Sequence, residues 1–461
     1  MGIIVKGIFG LAVGLLGYWF YAKLSAVPEF PVYPEDTWWG KGDPIKGNTD
    51  IKPFEIDVST EILDDLKHRL DIALPLQPPL EGVKQHYGMN SNLLQKIIDH
   101  WTTKYNWTER QSFLNQYPQY TTMIQGLNIH FLHVKPQVDK ASNIKILPLM
   151  LLHGWPGSVR EFYEMIPFLT QPQNGRRAVF EVIIPSMPGY GFSDAAAKSG
   201  MNPARMAQIF KILMHRLGHD KFYVQGGDWG SIIATIQTHL YPDSILGAHL
   251  NFCTCKSNIC LLKLLLLGTT FPSLIATKEE IPLFTPVSSI FADLILESGY
   301  LHIQATKPDT VGTALRESPI GLAAYILEKF VTWTNLQWKD LEDGGLSRKY
   351  TYDKLLDNIM IYWVTRSITT SQRLYAEMFN KEMYLKGFDN IPTPSKVPIA
   401  CARFENEPAH QPESLLRLKY SNLQQLNNYK DGGHYPAFEL PEVLANDVYA
   451  FIEKIEIQGF L

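Results

Sequence analysis

Cysteine is scarce in this chain, and that scarcity excludes one way of building a fold. Four cysteines in 461 residues make no disulfide framework of the kind on which small secreted domains depend. Cys253, Cys255 and Cys260 lie close together, but no CxxC partner or histidine cluster accompanies them, so they do not read as a zinc site. Reduced thiols in the core or in a cap are the simpler expectation. A dominant charge is also lacking: Lys and Arg number 42 against 46 Asp and Glu, a formal net charge of −4 at pH 7. No cationic excess exists to neutralise phosphates, which argues against nucleic acid as a partner. Internal repeats and low-complexity runs are missing, and 32 Gly with 30 Pro are close to average usage. Apolar residues are plentiful, at 45% of the chain, enough for a large core and too many for disorder.

Long uncharged apolar runs are rare, with one exception at the N-terminus. Lys6 and Lys23 bracket the sixteen uncharged residues Gly7–Ala22. That is slightly short of the roughly 20 that span hydrocarbon, but Ile3–Val5 and snorkelling lysines extend it. Tyr18, Trp19 and Tyr21 gather at one end, as an interfacial aromatic belt would. A cleaved signal peptide fits less well, because Leu24-Ser25-Ala26 puts Leu where a small residue is needed. The expectation is a retained, single-pass membrane-anchor helix over residues 1–24, with a cleaved signal or a buried core helix as alternatives. Lys23, Lys41 and Lys46 on the far side outnumber Lys6, which favours a cytoplasmic catalytic domain.

Residues 25–140 read as an N-terminal wrapping segment. Five prolines and Trp38-Trp39 occupy its extended start, helical periodicity runs from Thr60 to about Lys104, and a strand-like alternation covers Tyr120–Val134. A βα rhythm follows. Apolar runs at Ile146–Leu152, Ala178–Ile184, Phe222–Gln225 and Ile245–Phe252 each end in Gly, Pro or a polar turn. They indicate a parallel sheet covered on both faces. The rhythm resumes at Val397–Phe404 and Leu423–Tyr429, with a closing helix at Glu442–Ile455. The fold class is therefore α/β, with a core from residues 141–252 and 396–461. Residues 253–395, helical in pattern, are expected as a cap over the carboxyl ends of the strands, where open α/β sheets bind ligands. Within it Leu264–Leu267 is expected to be buried or to touch a membrane surface.

The chemistry is concentrated in three turns. Gln225-Gly226-Gly227-Asp228-Trp229-Gly230 lies between a strand and a helix. Small residues two positions either side of a central residue mark a nucleophile elbow. Here that residue is Asp228, a carboxylate that needs no base, attacks sp³ carbon and leaves an ester for water to cleave. Alone, the motif reads more readily as a Gly-rich turn with an Asp helix cap, and the rest of the constellation reverses that reading. His153-Gly154-Trp155-Pro156-Gly157-Ser158 follows the first strand and would aim backbone amides above the nucleophile, so the N–H groups of Trp155 and Trp229 are the candidate oxyanion hole. Gly432-Gly433-His434 follows the last strand, placing His434 as general base. An acid must orient its imidazole; Glu407 is preferred and Glu405 is the alternative, since position alone does not separate them.

Together these residues resemble the microsomal epoxide hydrolase family of α/β-hydrolases, most closely its insect juvenile hormone branch. The resemblance runs the length of the chain, through the N-terminal segment with Trp38-Trp39-Gly40, the HGWPGS turn, the GGDWGS elbow and the GGH loop. It implies an α/β-hydrolase fold with a helical cap, Asp228 as nucleophile, His434 as base and Glu407 as acid. It also implies two cap tyrosines that donate to the epoxide oxygen: Tyr300 after Ser298-Gly299 and Tyr375 after Ser371-Gln372-Arg373-Leu374. From sequence alone either tyrosine reads as an ordinary amphipathic residue. The implied reaction converts a lipophilic epoxide, with juvenile hormone the leading candidate, to a diol at the endoplasmic reticulum membrane, with no metal or cofactor. The rivals are a broad xenobiotic epoxide hydrolase, a haloalkane dehalogenase and a binding protein on a dead hydrolase scaffold.

Overall fold

The computed structural model describes residues 2–45, 49–139, 143–173 and 175–457. A nine-stranded sheet runs through it. In chain order the strands are β1 (Lys52–Phe54), β2 (Gln119–Ile124), β3 (Leu127–Val134), β4 (Lys145–Leu152), β5 (Ala178–Pro185), β6 (Phe222–Gly226), β7 (Ile245–Leu250), β8 (Ile399–Phe404) and β9 (Leu423–Tyr429). Their spatial order is β1-β2-β3-β5-β4-β6-β7-β8-β9. From β5 through β9 all pairings are parallel, and β1 to β3 extend the sheet in antiparallel fashion. The apolar runs are strands because helices cover both faces: β6 and β8 are buried at every residue. The helices Pro203–Arg216, Trp229–Leu240 and Pro441–Ile457 pack against the sheet.

Between β7 and β8 the chain leaves the sheet and returns about 150 residues later. The excursion is helical, with Pro308–Glu317, Pro319–Thr334, Tyr352–Thr365 and Ile368–Met378 among its elements. Within it, Leu264 and Leu267 pack on a small satellite core with Phe284 and Val287, whereas Leu265 and Leu266 are exposed.

The early segment is tied down by its aromatic residues. The buried Trp39 indole donates to Gln125 at 3.0 Å, and Phe30 stacks on His239 with ring centres 5.0 Å apart. The expected helical stretch after Thr60 is three helices, Thr60–Asp71, Ser91–Thr103 and Trp107–Leu114; prolines at 75, 78 and 79 account for the irregular segment before Ser91.

Two expectations need correction. The N-terminal helix forms over Gly2–Leu24, but among the described residues no helix is long and apolar enough to cross a membrane. No single-pass span is therefore assigned; the charges at Lys6 and Lys23 leave an uncharged stretch shorter than a bilayer core. Lys46, used in the charge bias, lies outside the described residues.

The cysteines are not reduced thiols: Cys253 pairs with Cys401 and Cys255 with Cys260. The first pair was hidden by a separation of 148 residues. Looping out the helical excursion makes β7 and β8 neighbours, with Leu250 opposite Cys401, which brings the Cα atoms of Cys253 and Cys401 to 6.1 Å. A cross-link closing so long a loop restricts the unfolded chain strongly. The double variant Cys253→Ala/Cys401→Ala is expected to lose about 2–4 kcal/mol of unfolding free energy, read as a lower melting temperature in scanning calorimetry. An unchanged melting temperature would contradict a stabilising role for this pair.

Candidate active site

Chain direction creates a crevice before any side chain is considered. Strands β4 and β6 are adjacent and parallel, with Leu152 opposite Gly226. From β4 the chain steps to β5 on one side, and from β6 it steps to β7 on the other. The loops leaving these two carboxyl ends therefore diverge, opening the space where α/β sheets bind ligands. The HGWPGS turn follows β4 and the Asp228 turn follows β6.

Asp228 has φ +46° and ψ −123°, a strained conformation for a residue with a Cβ. Close packing on both sides enforces it. A Cβ at Gly226 would lie 2.4 Å from the Gly230 carbonyl, and one at Gly230 would lie 2.1 Å from the Leu152 oxygen. Only glycines let the helix Trp229–Leu240 start this close to the sheet. A Cβ at Gly154 would fall 2.4 Å from Oδ1 of Asp228, so the HG turn must also lack a side chain there.

The carboxylate is held asymmetrically. The Trp155 amide donates to Asp228 Oδ1 at 2.8 Å, while Oδ2 lies 3.4 Å from His434 Nε2, which makes no hydrogen bond. Trp229, whose amide is the other candidate donor, is the first residue of its helix, where backbone N–H groups have no partner within the helix. His153 is structural in its contacts. Its Nδ1–H donates to the Gly154 carbonyl at 3.0 Å, and its Nε2 accepts from the Met187 amide at 3.2 Å. Burial lowers its pKa to about 4, which keeps the ring neutral and able to accept.

His434 comes from the far edge of the sheet on its Gly-Gly turn. A Cβ at Gly433 would lie 2.4 Å from the Trp333 and Thr334 carbonyl oxygens, and the His434 amide donates to Trp333 O at 2.9 Å. The buried Glu439 carboxylate accepts from the Gly433 and Tyr435 amides, fixing the loop from behind. Nδ1 of His434 donates to Glu407, 2.9 Å from Oε2 and 3.1 Å from Oε1. Of the two glutamates weighed, Glu407 is the one that reaches the ring; Glu405 is exposed, with its backbone amide on Tyr429. Burial works against a charged imidazole, but the carboxylates of Glu407 and Asp228 outweigh it and hold His434 well above its usual pKa.

Tyr300 and Tyr375 approach from the helical excursion. Tyr375 packs edge-on against Trp229 at 4.8 Å and Trp155 at 5.9 Å, and Tyr300 stacks on Trp155 at 5.4 Å. The two tyrosine rings are 5.9 Å apart and nearly perpendicular. Burial first, then the nearby negative charge of Asp228, pushes Tyr300 far above its normal pKa; the same two causes, with Tyr300 itself, act on Tyr375. Both phenols therefore keep their protons at neutral pH.

All seven residues singled out from the sequence thus converge on one crevice. Two neighbours were not singled out as functional there. Trp333 packs 4.9 Å from both Tyr300 and His434. Glu161, three residues past the HGWPGS turn, is buried beside Asp228 and His434, and no motif in the sequence flagged it. Away from the crevice, His133, Glu181 and His219 bring possible ligand atoms within 4.8 Å of one another, the sole such group among the described residues. That group is already knit by a 2.6 Å contact between His133 and Glu181.

Comparison with known proteins bears on the family and the fold. The family described as epoxide hydrolase N terminus matches residues 51–162, and the alpha/beta hydrolase fold family matches residues 148–439. Juvenile hormone epoxide hydrolase 1 of Ctenocephalides felis is 47% identical over 99% of this chain and 97% of its own length. Epoxide hydrolase 1 of Oryctolagus cuniculus is 45% identical over 97% of this chain and 99% of its own. The crystal structure of juvenile hormone epoxide hydrolase from the silkworm Bombyx mori superposes with a TM-score of 0.89 at 47% identity, covering 93% of this chain and all of that one.

Proposed function

The chain belongs to the epoxide hydrolase family of α/β-hydrolases, and from that premise we propose that it opens a lipophilic epoxide to a diol through an ester on Asp228. The observation that carries this reading is the asymmetric carboxylate: Oδ1 on the Trp155 amide, Oδ2 unbonded at 3.4 Å from His434. In the first step Oδ2 attacks a ring carbon, the carbon–oxygen bond breaks, and the oxygen takes a proton from Tyr300 or Tyr375. In the second, water gives a proton to His434 Nε2 and its oxygen bonds to Cγ, with negative charge collecting on Oδ1 against the Trp155 and Trp229 amides. Collapse releases the alcohol oxygen, which takes the proton from His434. The proton left on Asp228 restores the tyrosine, and the net change is one water added. Glu407 holds the imidazole in the tautomer that presents Nε2 as acceptor.

The tyrosines supply the acid that an alkoxide leaving group needs. Tyr300→Phe or Tyr375→Phe is expected to slow ester formation about 10- to 100-fold, and the double variant more, within the range general acid catalysis supplies. Rapid-quench measurement of ester formation reads this; wild-type rates in the double variant would remove the tyrosines from the mechanism.

The substrate proposed is juvenile hormone, supported by relatives that carry that name at 47% and 48% identity. Comparison of kcat/KM for juvenile hormone and for styrene oxide tests it, and a large preference for styrene oxide would transfer the assignment to xenobiotic epoxides. A chloroalkane in the same assay tests the dehalogenase alternative.

We further propose that the N-terminal helix attaches the enzyme to the endoplasmic reticulum membrane. Leu16 is 72% and Trp19 60% exposed, and Leu11, Leu15 and Phe20 are exposed around the same helix. A helix apolar all round has no stable place in water. Resistance of the full chain to alkaline extraction from microsomes would support attachment, and complete release would refute it. Four paired cysteines favour an oxidising compartment and weigh against the cytoplasmic placement suggested by the lysines.

A further inference from the structure

Glu161 has the attributes of a group kept for chemistry. It sits in the short helical turn Val159–Phe162, directly after the HGWPGS turn, and is buried. Its carboxyl lies over Gly157, where an added Cβ would be 1.4 Å from Oε1. No lysine or arginine offsets it among the described residues. Buried glutamates without a cation partner are rare because the desolvation of their charge goes uncompensated.

Its surroundings indicate what it faces. Gly154, Glu161, Gly227, Asp228, Asn251 and His434 supply the polar part of the lining of a small cavity, closed elsewhere by apolar side chains such as Phe162 and Pro436, with room for about one water molecule. Asp228 and His434, whose Nε2 makes no hydrogen bond, both line this cavity. Burial above all, opposed by His434 and reinforced by the charge on Asp228, pushes the Glu161 carboxyl up to about 8, so it is neutral at pH 7. A neutral carboxyl can accept a hydrogen bond from water without repelling the Asp228 carboxylate.

We propose that Glu161 positions the hydrolytic water. One water hydrogen is accepted by the carbonyl oxygen of Glu161 and the other passes to His434 Nε2, which aims the water oxygen at Cγ of the Asp228 ester. Glu161 gains and loses no proton over the cycle. The assignment rests on the hydrolase reading above and adds a residue that acts in its second step only. Orientation of a reacting water is worth orders of magnitude when the angle of attack is fixed.

The test is rapid quench with enzyme in excess over an epoxide, following formation and decay of the protein ester separately. Glu161→Ala is expected to form ester within about twofold of wild type and to hydrolyse it about 10- to 100-fold more slowly. Glu161→Gln keeps a neutral acceptor and should restore decay to within a few-fold. Gly157→Ala is the second variant, because its methyl displaces the carboxyl while Glu161 stays in the chain; it should slow decay as Glu161→Ala does. Unchanged decay in Glu161→Ala, or formation slowed as much as decay, overturns the proposal and leaves the hydrolase reading intact. Failure of Gln to restore decay also overturns it. Absence of ester in wild type and variants alike overturns both.

Discussion

Asp228→Ala is expected to form no covalent ester and to lose turnover by about 10,000-fold or more, the scale on which removal of a catalytic nucleophile acts. The expectation is this large because nothing else in the crevice can replace the carboxylate. His434 points Nε2 at Asp228 Oδ2, and Glu407 is spent on Nδ1. Glu161 is held neutral at pH 7, so it is no nucleophile. Ala keeps a Cβ on the same positive-φ backbone, so the strain of the turn is retained. The variant should therefore fold and melt within a few degrees of wild type, separating lost chemistry from lost structure. Mass spectrometry of intact protein after mixing with substrate checks the ester, and diol assay checks turnover.

His434→Gln should give the complementary result: ester that forms and persists. Ester formation needs the carboxylate and the tyrosines, whereas water attack needs a base, and losing one typically slows a reaction about 100- to 10,000-fold. The charges around His434 add a pH signature. In the resting site burial opposes the imidazolium, but Glu407 and Asp228 together hold the pKa well above its usual value. Formation of the ester deletes the charge of Asp228, so the His434 pKa falls at the moment a neutral base is required. Ester decay in the wild type should then rise with pH through this lowered value and level off above it. Loss of that rise in His434→Gln, followed by rapid quench at several pH values, ties it to this residue. An ester that decays at wild-type speed in His434→Gln would remove the histidine from the mechanism.

Much of this was legible in the sequence, for identifiable reasons. The elbow, the HG turn and the Gly-Gly-His loop are local: each demands glycines where backbone meets backbone, and those demands leave a pattern at short range. The strands were legible because burial on both faces makes them continuously apolar. Glu407 could be preferred over Glu405 but not separated from it, since the choice depends on a side chain crossing to a loop 27 residues away. Glu161 left no pattern at all. Its burial is decided by Gly157, His434 and Asp228 closing around it, contacts that an isolated VREF stretch does not encode. The Cys253–Cys401 bridge was misread for the same reason, because its partners meet only once the helical excursion is looped out. The N-terminal helix was read correctly as a helix, while its apolar length was credited with more than the stretch between two lysines supports.

The central claim is that the oxygen delivered to substrate comes first from the protein. The direct measurement is a single turnover in ¹⁸O-water with enzyme in excess, followed by mass analysis of the diol and of the peptide containing Asp228. The mechanism predicts unlabelled diol and one ¹⁸O in the Asp228 carboxylate. Label in the diol with none at Asp228 would mean that water attacks the epoxide directly, and would contradict the ester mechanism.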